Sequence, residues 1–116
     1  MTPPGLLSGV TGTLRAWHTR LRGLHGMVLV EDVPDVIAPR TLYVVGENGH
    51  RWYAVFACPC GCGAPIHASL LARSSPHWTL SEHWDGTVSL HPSVWRTKGC
   101  RSHFWLKRGR VRWCRP

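Results

Sequence analysis

Apolar residues change their spacing along this chain, and the change divides it. Leu14, Trp17, Leu21 and Leu24 recur every three or four positions, the repeat of a helix that buries one stripe. Arg15, His18, Arg20 and Arg22 fill much of the space between them. Thr13 stands where an N-cap is favoured, and Gly26 follows the last apolar residue. A short basic amphipathic helix is therefore predicted over 13–24. Residues 1–12 are rich in Pro, Gly, Ser and Thr, which predicts a loose lead-in.

From Met27 onward the pattern reads as strands. The runs 27–30 and 41–45 are rich in β-branched residues, and Glu47-Asn48-Gly49 then leads into 51–56. Asn-Gly between two such runs is a strong hairpin signal. Residues 65–71 read as a short strand or turn, and 77–82 alternate like a half-buried strand. Asp85-Gly86 joins that strand to 87–90, which Pro92 is expected to end. Residues 102–107 and 110–114 flank Arg108-Gly109, a third hairpin. The expected fold is mainly β, a small α+β domain of antiparallel hairpins with one N-terminal helix. Residues 1–26 form the loose segment and helix, and 27–116 the β domain.

Composition narrows the class. The chain has 116 residues, room for one domain. Hydrophobic residues make up 43% and charged residues 17%, a globular balance rather than a disordered one. Seven tryptophans are expected mostly in the core, since aromatic side chains bury large areas. The formal net charge of +8 suggests an acidic partner: nucleic acid, an acidic protein face or an anionic membrane. No apolar run approaches the roughly 20 residues of a membrane span, and no secretory signal is visible. No membrane association and a reducing, cytoplasmic setting are expected.

Cysteine placement adds chemistry. Cys58, Cys60 and Cys62 fall within five residues, in CPCGCG, and Cys100 follows in GCRSHFW. Thiols this crowded pair poorly with one another but converge readily on one soft ion, and glycines let the backbone wrap around it. A structural zinc held by Cys58, Cys60, Cys62 and Cys100 is expected, with His103 or His67 as alternatives for one sulfur. Cys114 is the spare thiol. A closed four-ligand site staples the fold and does not activate water.

Between Asp85 and His103 lie Ser89, His91, Ser93 and Ser102. Nucleophilic catalysis needs a hydroxyl beside a base, with a third group fixing the base. Ser93 as nucleophile, His103 as base and Asp85 as its orienter fit those roles, with Ser89 as the alternative nucleophile. No G-x-S-x-G motif is present. The competing reading is a non-catalytic zinc module that binds nucleic acid or protein, through arginines interleaved with aromatics at Arg51-Trp52-Tyr53 and 105–113.

The ordered segments CPCGCG, WDGTVSLHPSVW and GCRSHFWLKRGRVRW resemble the bacterial domain-of-unknown-function 6527 family. Its members carry a CxCGCG knuckle, an SLxPS segment and a CRSH segment followed by Phe or Tyr and Trp. The resemblance covers roughly residues 40–114. Such proteins are encoded beside ubiquitin-like proteins and E1- and E2-like enzymes. The resemblance implies a peptidase-like hydrolase that trims a ubiquitin-like C-terminus or releases its conjugates, with those proteins as partners. Members often have a histidine two residues before the first cysteine, where this chain has Phe56.

Overall fold

A computed structural model of the chain describes residues 23–114. Eight strands run in chain order: β1 Gly26–Val30, β2 Thr41–Glu47, β3 His50–Ala57, β4 Pro65–Ser69, β5 Thr79–Glu82, β6 Val88–Trp95, β7 His103–Lys107 and β8 Arg110–Trp113. They form two four-stranded sheets, β1-β2-β3-β4 and β5-β6-β7-β8. Each strand sends alternate residues inward. Leu42, Val44, Ala54, Phe56 and Ala68 of the first sheet meet Val88, Leu90, Val94, Phe104 and Leu106 of the second in one core. Phe56 and Phe104 pack edge to face, with ring centroids 6.4 Å apart.

Three expectations need correction. The domain is all-β: no helix occurs among the described residues. The helix predicted over 13–24 lies outside those residues except at Gly23 and Leu24, and neither is helical. Gly23 takes a left-handed φ of +75°, which breaks a right-handed helix. Leu24 is buried, and beside it the His25 N–H donates to the Gly109 carbonyl at 2.8 Å.

Nor are all the pairings antiparallel. β1 runs parallel to β2, with Gly26 opposite Thr41 and Val30 opposite Val45. Parallel neighbours need a crossover, here residues 31–40. That segment crosses the outer face of the first sheet, where the Ala38 N–H donates to the Tyr43 hydroxyl at 3.2 Å. Val45 and Val55, on this outer face, are buried.

Pro92, finally, does not end its strand. β6 continues to Trp95 because the register shifts between Leu90 and Val94: Leu90 pairs with Leu106 and Val94 with Phe104. Residues 91–93, which include a cis His91–Pro92 bond, therefore oppose Trp105 alone. A bulge accommodates a residue that cannot donate to the ladder.

Two turns follow the sequence signals closely. Asn48 and Gly49 have φ of +53° and +81°, and Arg108 and Gly109 have +47° and +78°. Both two-residue loops thus take the left-handed pair of a type I′ hairpin turn. Gly109 is also needed for space, since a Cβ there would lie 2.9 Å from the His25 carbonyl oxygen.

The sheets are joined at both ends of β6. Near Val88, Gly26 bridges to Thr87, and the adjoining His25 N–H donates to the Gly109 carbonyl of the β7–β8 turn at 2.8 Å. Near Trp95, the junction is the cysteine cluster.

Candidate functional site

Cys58 follows the last residue of β3, Cys60 and Cys62 sit in the loop to β4, and Cys100 lies in the connection from β6 to β7. The loop closes because the Cys58 N–H donates to the Ala64 carbonyl at 2.8 Å and the Gly61 N–H to the Cys58 carbonyl at 3.3 Å. Gly61 and Gly63 have φ of +94° and +78°, the left-handed turns that fold the thiols back on themselves.

The four sulfurs lie within 4.8 Å of one another. Cys58 Sγ is 3.4 Å from Cys60 Sγ and 3.6 Å from Cys100 Sγ. A tetrahedron with metal–sulfur bonds near 2.3 Å has edges of about 3.8 Å, so the four residues can hold one metal ion. Neither histidine alternative belongs to this group: His67 lies against Tyr53 on the first sheet and His103 is bonded to Ser93.

The surroundings suit thiolates. The Ser102 hydroxyl and N–H lower the Cys100 pKa to about 6. The Ala64 N–H lowers Cys62. At Cys60 the N–H of Cys62 acts downward, but the Cys62 and Cys58 thiols together push it up to about 11. Arg96 Nη1 donates to Cys100 Sγ at 3.1 Å and to Cys62 Sγ at 3.4 Å, opposing the surplus negative charge that four thiolates around a dication carry. Buried Ser102 contacts both Cys58 Sγ, at 3.5 Å, and Cys100 Sγ, at 3.1 Å. Its neighbour is His103, the first residue of β7.

His103 Nε2 lies 3.0 Å from Ser93 Oγ. The bulge in β6 presents Ser93 to it, and both lie half-buried on the second sheet's outer face. The His103 ring stacks on Trp95, with centroids 5.1 Å apart and planes 19° from parallel. Among the described residues no hydrogen bond reaches His103 Nδ1, so the indole is the contact that sets the ring. On the other side of Ser93, the Trp78 indole N–H donates to the Ser93 carbonyl at 3.3 Å. Trp78, Leu70, Leu80 and Arg51 line a cleft of about 250 Å³ there.

Asp85 is elsewhere. Its Oδ1 accepts from the Thr87 hydroxyl at 2.6 Å and the Thr87 N–H at 3.0 Å. Those two donors hold its carboxyl below the usual range. The carboxylate fixes the β5–β6 turn, and no hydrogen bond joins it to His103.

Ser89 has a histidine of its own, at 2.7 Å from His83 Nε2. It also accepts the Arg108 N–H at 2.8 Å, so its oxygen bonds on two sides. Sequence reasoning missed His83, Trp95 and Arg96. His83 and Ser89 flank Asp85-Gly86, the one local signal that they face each other. Trp95 and Arg96 had none beyond residue type. Cys114 is a free, partly buried thiol, and Phe56, which stands where the resembling proteins often have a histidine, is a core residue.

A profile of the bacterial ubiquitination-like system serine protease family (BubE) matches residues 29–114. One curated protein similar to the chain is the broad mercury transporter MerE of Shigella flexneri, 36% identical over 53 residues. That stretch is 46% of this chain, and the chain spans 65% of that relative's length. No solved structure matches. Among the described residues, no helix is long and apolar enough to cross a membrane.

Proposed function

Since the chain belongs to the bacterial ubiquitination-like system serine protease family, we propose that it is a peptidase acting on the C-terminal tail of a ubiquitin-like protein, with Ser93 as nucleophile and His103 as general base. The observation that carries this reading is the 3.0 Å contact between Ser93 Oγ and His103 Nε2, within the reach that proton transfer needs.

The chemistry follows from those two groups. Ser93 Oγ attacks the scissile carbonyl carbon as its proton passes to His103 Nε2. The tetrahedral adduct collapses when the imidazolium returns that proton to the departing amine, leaving an ester on Ser93. Water, deprotonated by the same nitrogen, then releases the acid. Trp95 stacks on the ring and stabilises it while it is charged. The cleft beyond Trp78, which Arg51 and His77 line together with Leu70 and Leu80, takes a side chain of the bound tail.

Zinc is the ion assigned to Cys58, Cys60, Cys62 and Cys100, because an all-thiolate tetrahedron suits it. With all four positions taken by protein it is a structural ion. It fixes the connection that delivers His103. Asp85 is assigned to its turn and not to the reacting pair.

Ser93 is preferred over Ser89 because among the described residues its hydroxyl bonds only to the histidine, whereas Ser89 also holds a backbone N–H. An electrophilic probe settles the choice: a ubiquitin-like protein of the same system carrying a C-terminal fluorophosphonate, which loses fluoride to form a stable serine ester, followed by peptide mass spectrometry. The expected adduct is on Ser93. An adduct on Ser89 overturns the assignment, and no adduct on any serine overturns the mechanism.

A further inference from the structure

Charge on this molecule is segregated along the chain, and the three strands β6, β7 and β8 carry no acid. Residues 88–114 hold seven of the chain's 14 lysines and arginines and none of its six acids. Of those acids, Glu31, Asp32 and Asp35 lie in the crossover over the first sheet's outer face. Glu47 is the last residue of β2, Glu82 is paired with Arg51, and Asp85 is bonded to Thr87.

Strand alternation sorts the basic residues further. Leu90, Phe104 and Leu106 point into the core, so His91, His103, Trp105 and Lys107 face outward. Val111 packs against the core, and Arg110 and Arg112 therefore share the outward face, opposite Lys107 and Trp105 respectively. His91 packs on Trp105 at 5.6 Å, and Lys107 Nζ lies 5.0 Å over the same indole. The result is a sheet face of one charge sign built on a fixed tryptophan, and it carries Ser93 and His103.

We propose that this face, centred on Trp105, Lys107, Arg110 and Arg112, docks an acidic patch on the folded body of the protein whose tail Ser93 cleaves. The inference rests on the peptidase reading. A tail can reach Ser93 only if the body attached to it lies over this face, and no carboxylate here repels an acidic one. Tryptophan and arginine are the residues that dominate binding energy at interfaces. Complementary charge mainly raises the association rate and is screened by salt.

The test uses a ubiquitin-like protein of the same system with its tail removed, so that binding is measured without turnover. Titration calorimetry against the intact chain is expected to show binding that weakens about tenfold between low and physiological salt. Combined Arg110→Glu and Arg112→Glu should weaken it by a further factor of about ten. Lys107→Glu is a second reversal should the double variant not fold. Reversal of Glu31 and Asp32 to lysine should leave binding unchanged. Cleavage of a short tail peptide should survive the arginine reversals with kcat intact. Binding indifferent to salt and to both sets of arginine and lysine reversals overturns the docking face. So does an oligonucleotide that displaces the protein. If binding responds as expected but neither peptide nor full-length partner is cleaved, the docking face stands and the peptidase reading fails.

Discussion

The two ends of β6 carry the same functional groups and hold them differently. At the Val88 end, Ser89 meets His83 beside a turn whose backbone is fully committed: Thr87 to Asp85, Arg108 to Ser89, Gly109 to Val88. At the Trp95 end, Ser93 meets His103 in a bulge, between a stacked indole and a cluster of thiols. The first end is held by hydrogen bonds that use up the serine's oxygen. The second is held from outside, by a cysteine cluster that can hold a metal ion and by an aromatic ring, and among the described residues its serine hydroxyl has one partner. A serine–histidine contact is therefore not a catalytic signature by itself. What distinguishes the two is whether the oxygen has another structural duty.

Metal removal should separate the ends most sharply. Chelation takes away the staple under Ser102 and His103, and structural metal sites of this kind contribute several kcal/mol to folding. The melting temperature is expected to fall by more than about 10 °C, with peptidase activity lost. Circular dichroism and activity, followed through metal stripping and zinc restoration, check this. Activity that survives complete chelation would detach the metal from the site.

Serine replacement comes next. Ser93→Ala should lower kcat/KM by about a thousandfold or more with stability nearly unchanged. Ser89→Ala should leave turnover within a few-fold but cost about 1–2 kcal/mol of stability, because the Arg108 N–H loses its acceptor. Urea unfolding beside steady-state kinetics reads both, and reversed outcomes would exchange the roles of the two ends.

The hydrogen-bonded end has a weak point at Gly109. Ala there must adopt a φ of +78° and meets the His25 carbonyl, so Gly109→Ala is expected to cost about 1–3 kcal/mol. The same seam responds to acid. Burial lowers the pKa of His25 from its usual 6.5, and Arg40 acts in the same direction against the Gly109 carbonyl bond. The unfolded chain then binds this proton more readily than the folded one. The His25 contribution to stability is present above pH 6.5 and is lost as pH falls through the lower folded value. Chemical denaturation at stepped pH should show the loss, reduced in His25→Gln.

The smallest effect expected is that of Asp85→Asn. The amide keeps an acceptor for Thr87, so activity should stay within about threefold. A fall of several orders of magnitude would return Asp85 to the reacting pair.

These differences also explain what could be read in advance. Strand positions and the Asn48-Gly49 and Arg108-Gly109 turns were legible because each is decided within a few residues. The cysteine cluster was legible because three of its four sulfurs are neighbours in sequence. The pairing of Ser93 with His103 rests on a register shift between strands, and no local pattern announces a bulge that absorbs a proline. The parallel pairing of β1 with β2 was hidden because its crossover carries no helix. Asp85 shows local chemistry prevailing over a distant role, since Asp-Gly-Thr already offers the carboxylate two donors within its own turn.

The bulge has a consequence for insertions and deletions. Leu90 and Val94 both face the core, as do Leu106 and Phe104 opposite them, so three residues on one strand and one on the other preserve the same parity. Loss or gain of one residue between 90 and 94 breaks that parity and turns Val94 toward solvent. Loss of two does not. Removing Pro92 and Ser93 together leaves an unbulged ladder with its core alternation in phase and without the proposed nucleophile. Among relatives of this chain, length at this point should therefore vary in steps of two, and the short form should mark those that have kept the fold and given up the chemistry.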